Sequence, residues 1–183
     1  MAKTSIKRTG YGQVEPNHLS AQYTGQIYAQ LPAMVIDGDE KTPIEQLENG
    51  QFLKYNYAKE CASVTGDGEW MLVFNEVKLY DERRQNYKDF CVKASDMCDK
   101  TIYPRLLKTN IGDIYTTNTF GANTSPDAEV NGIQLEAGDK LYVGADGFLT
   151  ATAGQNYNGP VFQVAQVYNL GDLQPAVKIQ RIQ

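Results

Sequence analysis

Histidine is nearly missing from this chain: His18 is the single one in 183 residues. Any mechanism that needs an imidazole therefore has one candidate and no second choice. Tryptophan is equally scarce, with Trp70 alone. The three cysteines, Cys61, Cys91 and Cys98, are odd in number and contain no C-x-x-C pair. That fits a reducing compartment or free buried thiols better than a disulfide framework. No apolar run approaches the roughly 18–20 residues of a membrane span; the longest is Trp70-Met-Leu-Val-Phe74. The first ten residues carry basic side chains with no apolar stretch after them, so no secretory signal is expected. Lys plus Arg number 17 against 22 Asp plus Glu. A pI near 4.9 is the wrong sign for non-specific nucleic-acid binding.

What is present is an ordinary globular composition, 42% hydrophobic and 21% charged, long enough for one good core or two small ones. Tyrosine dominates the aromatics: twelve Tyr stand beside six Phe, a bias of proteins that present aromatic surface to partners. The net charge of −5 resolves along the chain into blocks. Residues 1–30 carry +2, 31–82 carry −7, 83–108 carry +4, 109–177 carry −6, and the last residues +2. Such blocks either scatter over a folded surface or form complementary faces for assembly.

Turn chemistry organises the chain. In residues 1–30, Gly10-Tyr-Gly12, Glu15-Pro-Asn17 and Thr24-Gly25 interrupt every helix, while Tyr11, Leu19, Tyr23, Ile27 and Tyr28 recur as isolated anchors. We read an extended N-terminal arm that packs along its own domain or a neighbour's. From Leu31 the signals are β. Ala33–Ile36 ends at Asp37-Gly38-Asp39, and Thr42-Pro-Ile-Glu45 has the spacing of a helix N-cap, which predicts one short helix or turn there. Asn49-Gly50 precedes a strand over 51–58. The run 69–80 begins continuously apolar and then alternates, as for a core strand leaving the interior. Residues 81–108 read as a loop with one more strand. Beyond Gly112, short strands alternate with Gly/Asp turns at Gly138-Asp139, Gly144–Gly147 and Leu170–Leu173. The expected fold is mainly β, a compact β-sandwich or β-barrel with little helix. Residues 31–183 form the β domain, with 108–183 as a candidate barrel subdomain.

Catalytic signatures are thin. Asp37-Gly-Asp-Glu40 opens like a calcium loop, but Lys41 stands at the next ligand position and the pattern fails. Asp67-Gly-Glu69 beside Trp70 suggests glycosidase carboxylates or, better, a hairpin tip. Cys91 and Cys98 lack metal spacing. No nucleophile elbow, phosphate loop or dinucleotide fingerprint is present. The expectation is a non-enzyme with no cofactor and no metal.

Leu135-Glu-Ala-Gly-Asp-Lys-Leu-Tyr-Val-Gly-Ala-Asp-Gly-Phe-Leu-Thr150, Pro160-Val-Phe-Gln-Val164 and Tyr168-x-Leu-Gly-Asp-x-Gln-Pro-Ala-Val-Lys178 resemble small structural proteins of tailed bacteriophages. The likeness is to capsid decoration, or cement, proteins, and Lys7–Gly12 and Gln51–Tyr55 look similar to the same group. The resemblance implies a virion structural protein, assembled in a bacterial cytoplasm, that binds the major capsid protein on the outer shell. It implies homo-oligomers, trimers among them, and neither a nucleic-acid nor a membrane partner. The candidate capsid contacts are Lys7, Arg8, Tyr11, Tyr23 and Tyr28. Two alternatives stand beside it: another virion component, such as a tail-tube or head–tail connector subunit, and a carbohydrate-binding β-module suggested by Trp70 and the tyrosines.

Overall fold

The computed structural model describes residues 3–20, 31–75, 91–121, 129–130 and 133–183. Among these residues lie eighteen strands and one 3-10 turn, Ala94–Asp96. The first half of the chain holds β1 (Thr4–Ser5), β2 (Arg8–Thr9), β3 (Val14–His18), β4 (Met34–Asp37), β5 (Glu40–Pro43), β6 (Gln46–Glu48), β7 (Phe52–Asn56), β8 (Cys61–Ser63) and β9 (Trp70–Val73). The second half holds β10 (Cys91–Lys93), β11 (Leu106–Leu107), β12 (Ile114–Thr117), β13 (Glu129–Val130), β14 (Gln134–Leu135), β15 (Lys140–Val143), β16 (Leu149–Thr150), β17 (Val161–Asn169) and β18 (Pro175–Arg181).

Six strands form the largest sheet, in the order β16-β15-β17-β18-β12-β3. A four-stranded sheet runs β11-β9-β7-β8, and β1-β14, β2-β13, β4-β5 and β6-β10 pair separately. The ladders are antiparallel, and a single parallel bridge joins Ala33 to Ala62. The fold is therefore mainly β with little helix. The large sheet is open, with β16 and β3 at its edges, so packed sheets and not a closed barrel describe residues 108–183. That sheet is completed by β3, from the N-terminal segment.

The four-stranded sheet is a middle layer. Phe52, Trp70, Leu72 and Leu107 face the large sheet, meeting Tyr115, Phe162, Val177 and Ile179 in one core. Phe162 sits at its centre, its ring 5.7 Å from that of Phe52 and edge-on to Tyr115 at 5.8 Å. Leu53, Met71, Val73 and Leu106 face the other way, into a second core closed by Ala33, Leu47, Ala94 and Ile102. Burial on both faces explains why Trp70–Val73 is apolar at every position. The alternating half expected over 76–80 lies outside the described residues.

Strand β17 lacks a clean polar face for a different reason. Val164 pairs with Ile179 but Gln166 pairs with Lys178, so Ala165 is an extra residue, a β-bulge. The bulge switches which parity points inward: Phe162 and Val164 are buried before it, and Val167 packs on the core after it. A second bulge at Asn17 lets β3 carry Pro16 on an edge strand, where the missing N–H costs no ladder bond.

The helix or turn expected at Thr42–Glu45 is replaced by strand. Thr42 pairs with Val35 across the hairpin turned by Gly38, whose φ is +57°. Cross-strand pairing outcompetes the local cap, because one short turn of helix gains too few hydrogen bonds to offset its nucleation. Within 91–108 the chain forms β10, the 3-10 turn and β11; residues 81–90 lie outside the described set.

Two outcomes follow from this packing. Replacing Phe52, fully buried between the sheets, as Phe52→Ala lowers unfolding free energy by about 3–5 kcal/mol in urea titration. Tyr115 is fully buried and its hydroxyl has no hydrogen-bond partner among the described residues. Burial pushes its pKa well above the usual phenol value. The unfolded phenol thus ionises first as pH rises past about 10, and stability falls from there upward. Tyr115→Phe removes that alkaline loss and leaves neutral-pH stability within about 1 kcal/mol, since no bond is broken; denaturation midpoints at pH 7 and pH 11 check both.

Candidate functional site

The five candidate contact residues separate once placed. Lys7 is exposed, between buried Ile6 and buried Arg8. The three follow strand alternation, so Arg8 shares the inward side with Ile6. Arg8 is 2% exposed, and its Nη1 donates to Glu48 Oε2 at 2.7 Å and to the Gly10 carbonyl at 2.8 Å. Its Nη2 donates to the Gly121 carbonyl. The same Glu48 oxygen accepts the Gly12 N–H at 2.7 Å. Tyr11 is buried as well, beside Cys91 and Lys93, whose ammonium lies 5.8 Å from the ring centroid. Burial, then contact with Cys91, raises the Tyr11 pKa; burial likewise raises that of Cys91. Tyr23 and Tyr28 lie outside the described residues.

Arg8 and Tyr11 are thus interior side chains, and the described part of the N-terminal segment packs on its own domain. Gln13 N–H donates to Asn118 Oδ1 at 3.0 Å, and Thr117 Oγ1 donates to the Gln13 carbonyl at 2.9 Å. Gly12 and Gly50 are needed for this closeness. A Cβ on Gly12 would stand 2.3 Å from Thr119 Oγ1 and 2.7 Å from the Asn49 carbonyl oxygen.

The motifs weighed for chemistry are mostly turns. Asp37–Glu40 closes the β4-β5 hairpin, and Asp39 pairs with Lys59 at 2.7 Å, which holds its carboxyl below the usual range. His18 is exposed at the end of β3. No group of three or more His, Cys, Asp or Glu that could hold a metal occurs among the described residues, and the cysteines are free thiols.

One concave site does gather polar chemistry. A groove of about 410 Å³ opens where the two larger sheets meet, lined by Trp70 and Lys54 of the four-stranded sheet and by Arg181 of the six-stranded one. Its walls are the turn carrying Asp67 and Glu69, before β9, and the loop carrying Asn158, before β17. Lys54 Nζ lies 4.5 Å from the Trp70 ring centroid, and Trp70 is 8% exposed. Glu69 pairs with Lys108 at 2.8 Å. Arg181 is held by Thr109 Oγ1 at 3.1 Å and by the Gln183 carbonyl at 2.8 Å. The loop wall is pinned by Tyr157, whose hydroxyl donates to the Pro160 carbonyl at 2.7 Å and accepts from Val143 N–H at 3.0 Å. Sequence reading singled out Asp67, Glu69 and Trp70 together. Lys54 joins them across the β7–β9 ladder, where it pairs with Trp70, and Asn158 and Arg181 join only where the two sheets meet, which no local signal announces.

Removing one partner of the buried ion pair leaves the other charged and dry. Glu48→Gln accordingly costs about 3–5 kcal/mol by denaturant titration, whereas the paired change Arg8→Met with Glu48→Leu recovers most of that loss. Comparison with known proteins finds no matching family model, curated protein or solved structure for this chain.

Proposed function

We propose that this chain is a virion structural protein that coats the outer surface of a phage capsid, bound to the major capsid protein. One observation carries the reading. The segments that resemble decoration proteins, 135–150, 160–164 and 168–178, supply β15, β16 and most of β17 and β18, four adjacent strands of the largest sheet. Gln51–Tyr55 contributes Phe52 to the core beneath that sheet, and Lys7–Gly12 contributes the buried Arg8 beside it. The resemblance thus falls on one contiguous body, not on scattered turns.

The surface supports the same role. Exposed apolar side chains sit on turns and sheet margins: Ile111 and Leu173, each more than 70% exposed, with Val35, Tyr57 and Tyr103 over half exposed. Dispersed anchors of this kind suit a lattice, where many copies multiply modest contacts. With Arg8 and Tyr11 interior, the capsid contacts fall to Lys7 and these exposed tips. Self-association into trimers or other oligomers on the shell would use the same tips.

Electron microscopy of particles from cells expressing the chain beside its capsid protein tests the proposal. Density on the outer shell at hundreds of copies per particle is expected. A ring of about six or twelve copies at one vertex would make it a connector subunit, since closed rings fix such numbers, and absence from the particle would refute the virion role.

A further inference from the structure

We infer that the groove over Trp70 is a binding site for a neutral, hydroxyl-rich ligand, a saccharide of one or two rings. Its volume of about 410 Å³ falls within the roughly 300–1,000 Å³ of small-molecule sites. Charge selects the ligand class first. The lining carries both signs, Lys54 and Arg181 with Asp67 and Glu69, and Glu69 is already held by Lys108 outside it, so no strong charge of one sign is concentrated there and a neutral molecule is favoured.

Hydrogen-bonding capacity selects next. Asn158 has no hydrogen-bond partner among the described residues, and Asp67 accepts one bond, from Tyr57 N–H at 3.3 Å. Lys54 Nζ lies over an aromatic face and not against a carboxylate. A carboxamide, a carboxylate and an ammonium converging on one space offer donors and acceptors together. Vicinal hydroxyls, each donor and acceptor, match that set.

The site is also pre-formed, which reduces the ordering cost of binding. Arg181 and Tyr157 are fixed by the bonds already described. Gly159 brings the loop wall against Trp70 and Tyr157 so closely that a Cβ would stand 2.9 Å from Trp70 Cδ1 and 2.6 Å from the Tyr157 hydroxyl. Trp70 is then the floor of the site and not a stacking platform, because Lys54 covers its ring face. Binding here stands or falls separately from the capsid role; Tyr57, one of the exposed tips, adjoins the site through its N–H bond to Asp67.

Trp70 is the single tryptophan of the chain, so fluorescence of the intact protein excited at the red edge of absorption, where the twelve tyrosines absorb little, reports on this groove. Maltose, cellobiose and N,N′-diacetylchitobiose are titrated separately to about 10 mM, enough to detect dissociation constants near 1 mM. Saturable change in Trp70 emission with at least one of them is expected. Asp67→Ala and Asn158→Ala should each weaken it at least tenfold without moving the urea midpoint. No saturable change with any of the three, or unchanged affinity in both variants, overturns the inference. A response confined to inorganic phosphate or to hexalysine, run as charged controls, overturns the neutral-ligand assignment equally.

Discussion

The ion pair between Arg8 and Glu48, closed to solvent, is the constraint around which the rest of the molecule is arranged. Two charges taken out of water cost several kcal/mol each unless their remaining donors and acceptors are filled. Here the chain fills most of them with its own backbone: Gly10 and Gly121 carbonyls accept from Arg8, and the Gly12 N–H donates to Glu48, while Arg8 Nε has no partner among the described residues. Two segments distant in sequence, 8–12 and the stretch ending at Gly121, must therefore converge on β6. The pair's contribution is register more than net stability. It holds the N-terminal segment, the turn at Asn49-Gly50 and the stretch 117–121 at the only separation that their glycines permit.

Charge along the chain follows the same logic. Arg8 and Glu48 come from blocks of opposite sign, as do Lys3 and Asp139, and Lys108 and Glu69. Part of the blockwise pattern is thus spent inside one molecule, joining its N-terminus and its middle to other layers. The exposed pairs among them add little free energy. The buried one carries the specificity.

Much of the β architecture was legible because turn residues act locally. Gly50, Gly138 and Gly147 take positive φ where the sequence places turns, and the strands between them fall within a few residues of expectation. What was not legible depended on partners far along the chain. Thr42–Glu45 carries a sound local helix signal, but Val35 and Met34 offer Thr42 and Pro43 a ladder that wins. Arg8 reads as a surface charge until alternation with Ile6 is taken seriously, and its counter-ion lies forty residues away. The mixed faces of β17 needed a bulge at Ala165, which no residue type marks. The groove was half visible: Asp67, Glu69 and Trp70 adjoin in sequence, whereas Asn158 comes from the loop before β17 and Arg181 from β18.

The central claim is that the N-terminal segment is part of the folded body, held there by the buried pair, and amide hydrogen exchange tests it most directly. The Gly12 and Gln13 N–H groups, bonded to Glu48 and Asn118, should exchange only through global unfolding, as slowly as the paired amides of β17 and β18. Exchange of those two amides at the rate of an exposed loop, with β17 and β18 still protected, would contradict the account.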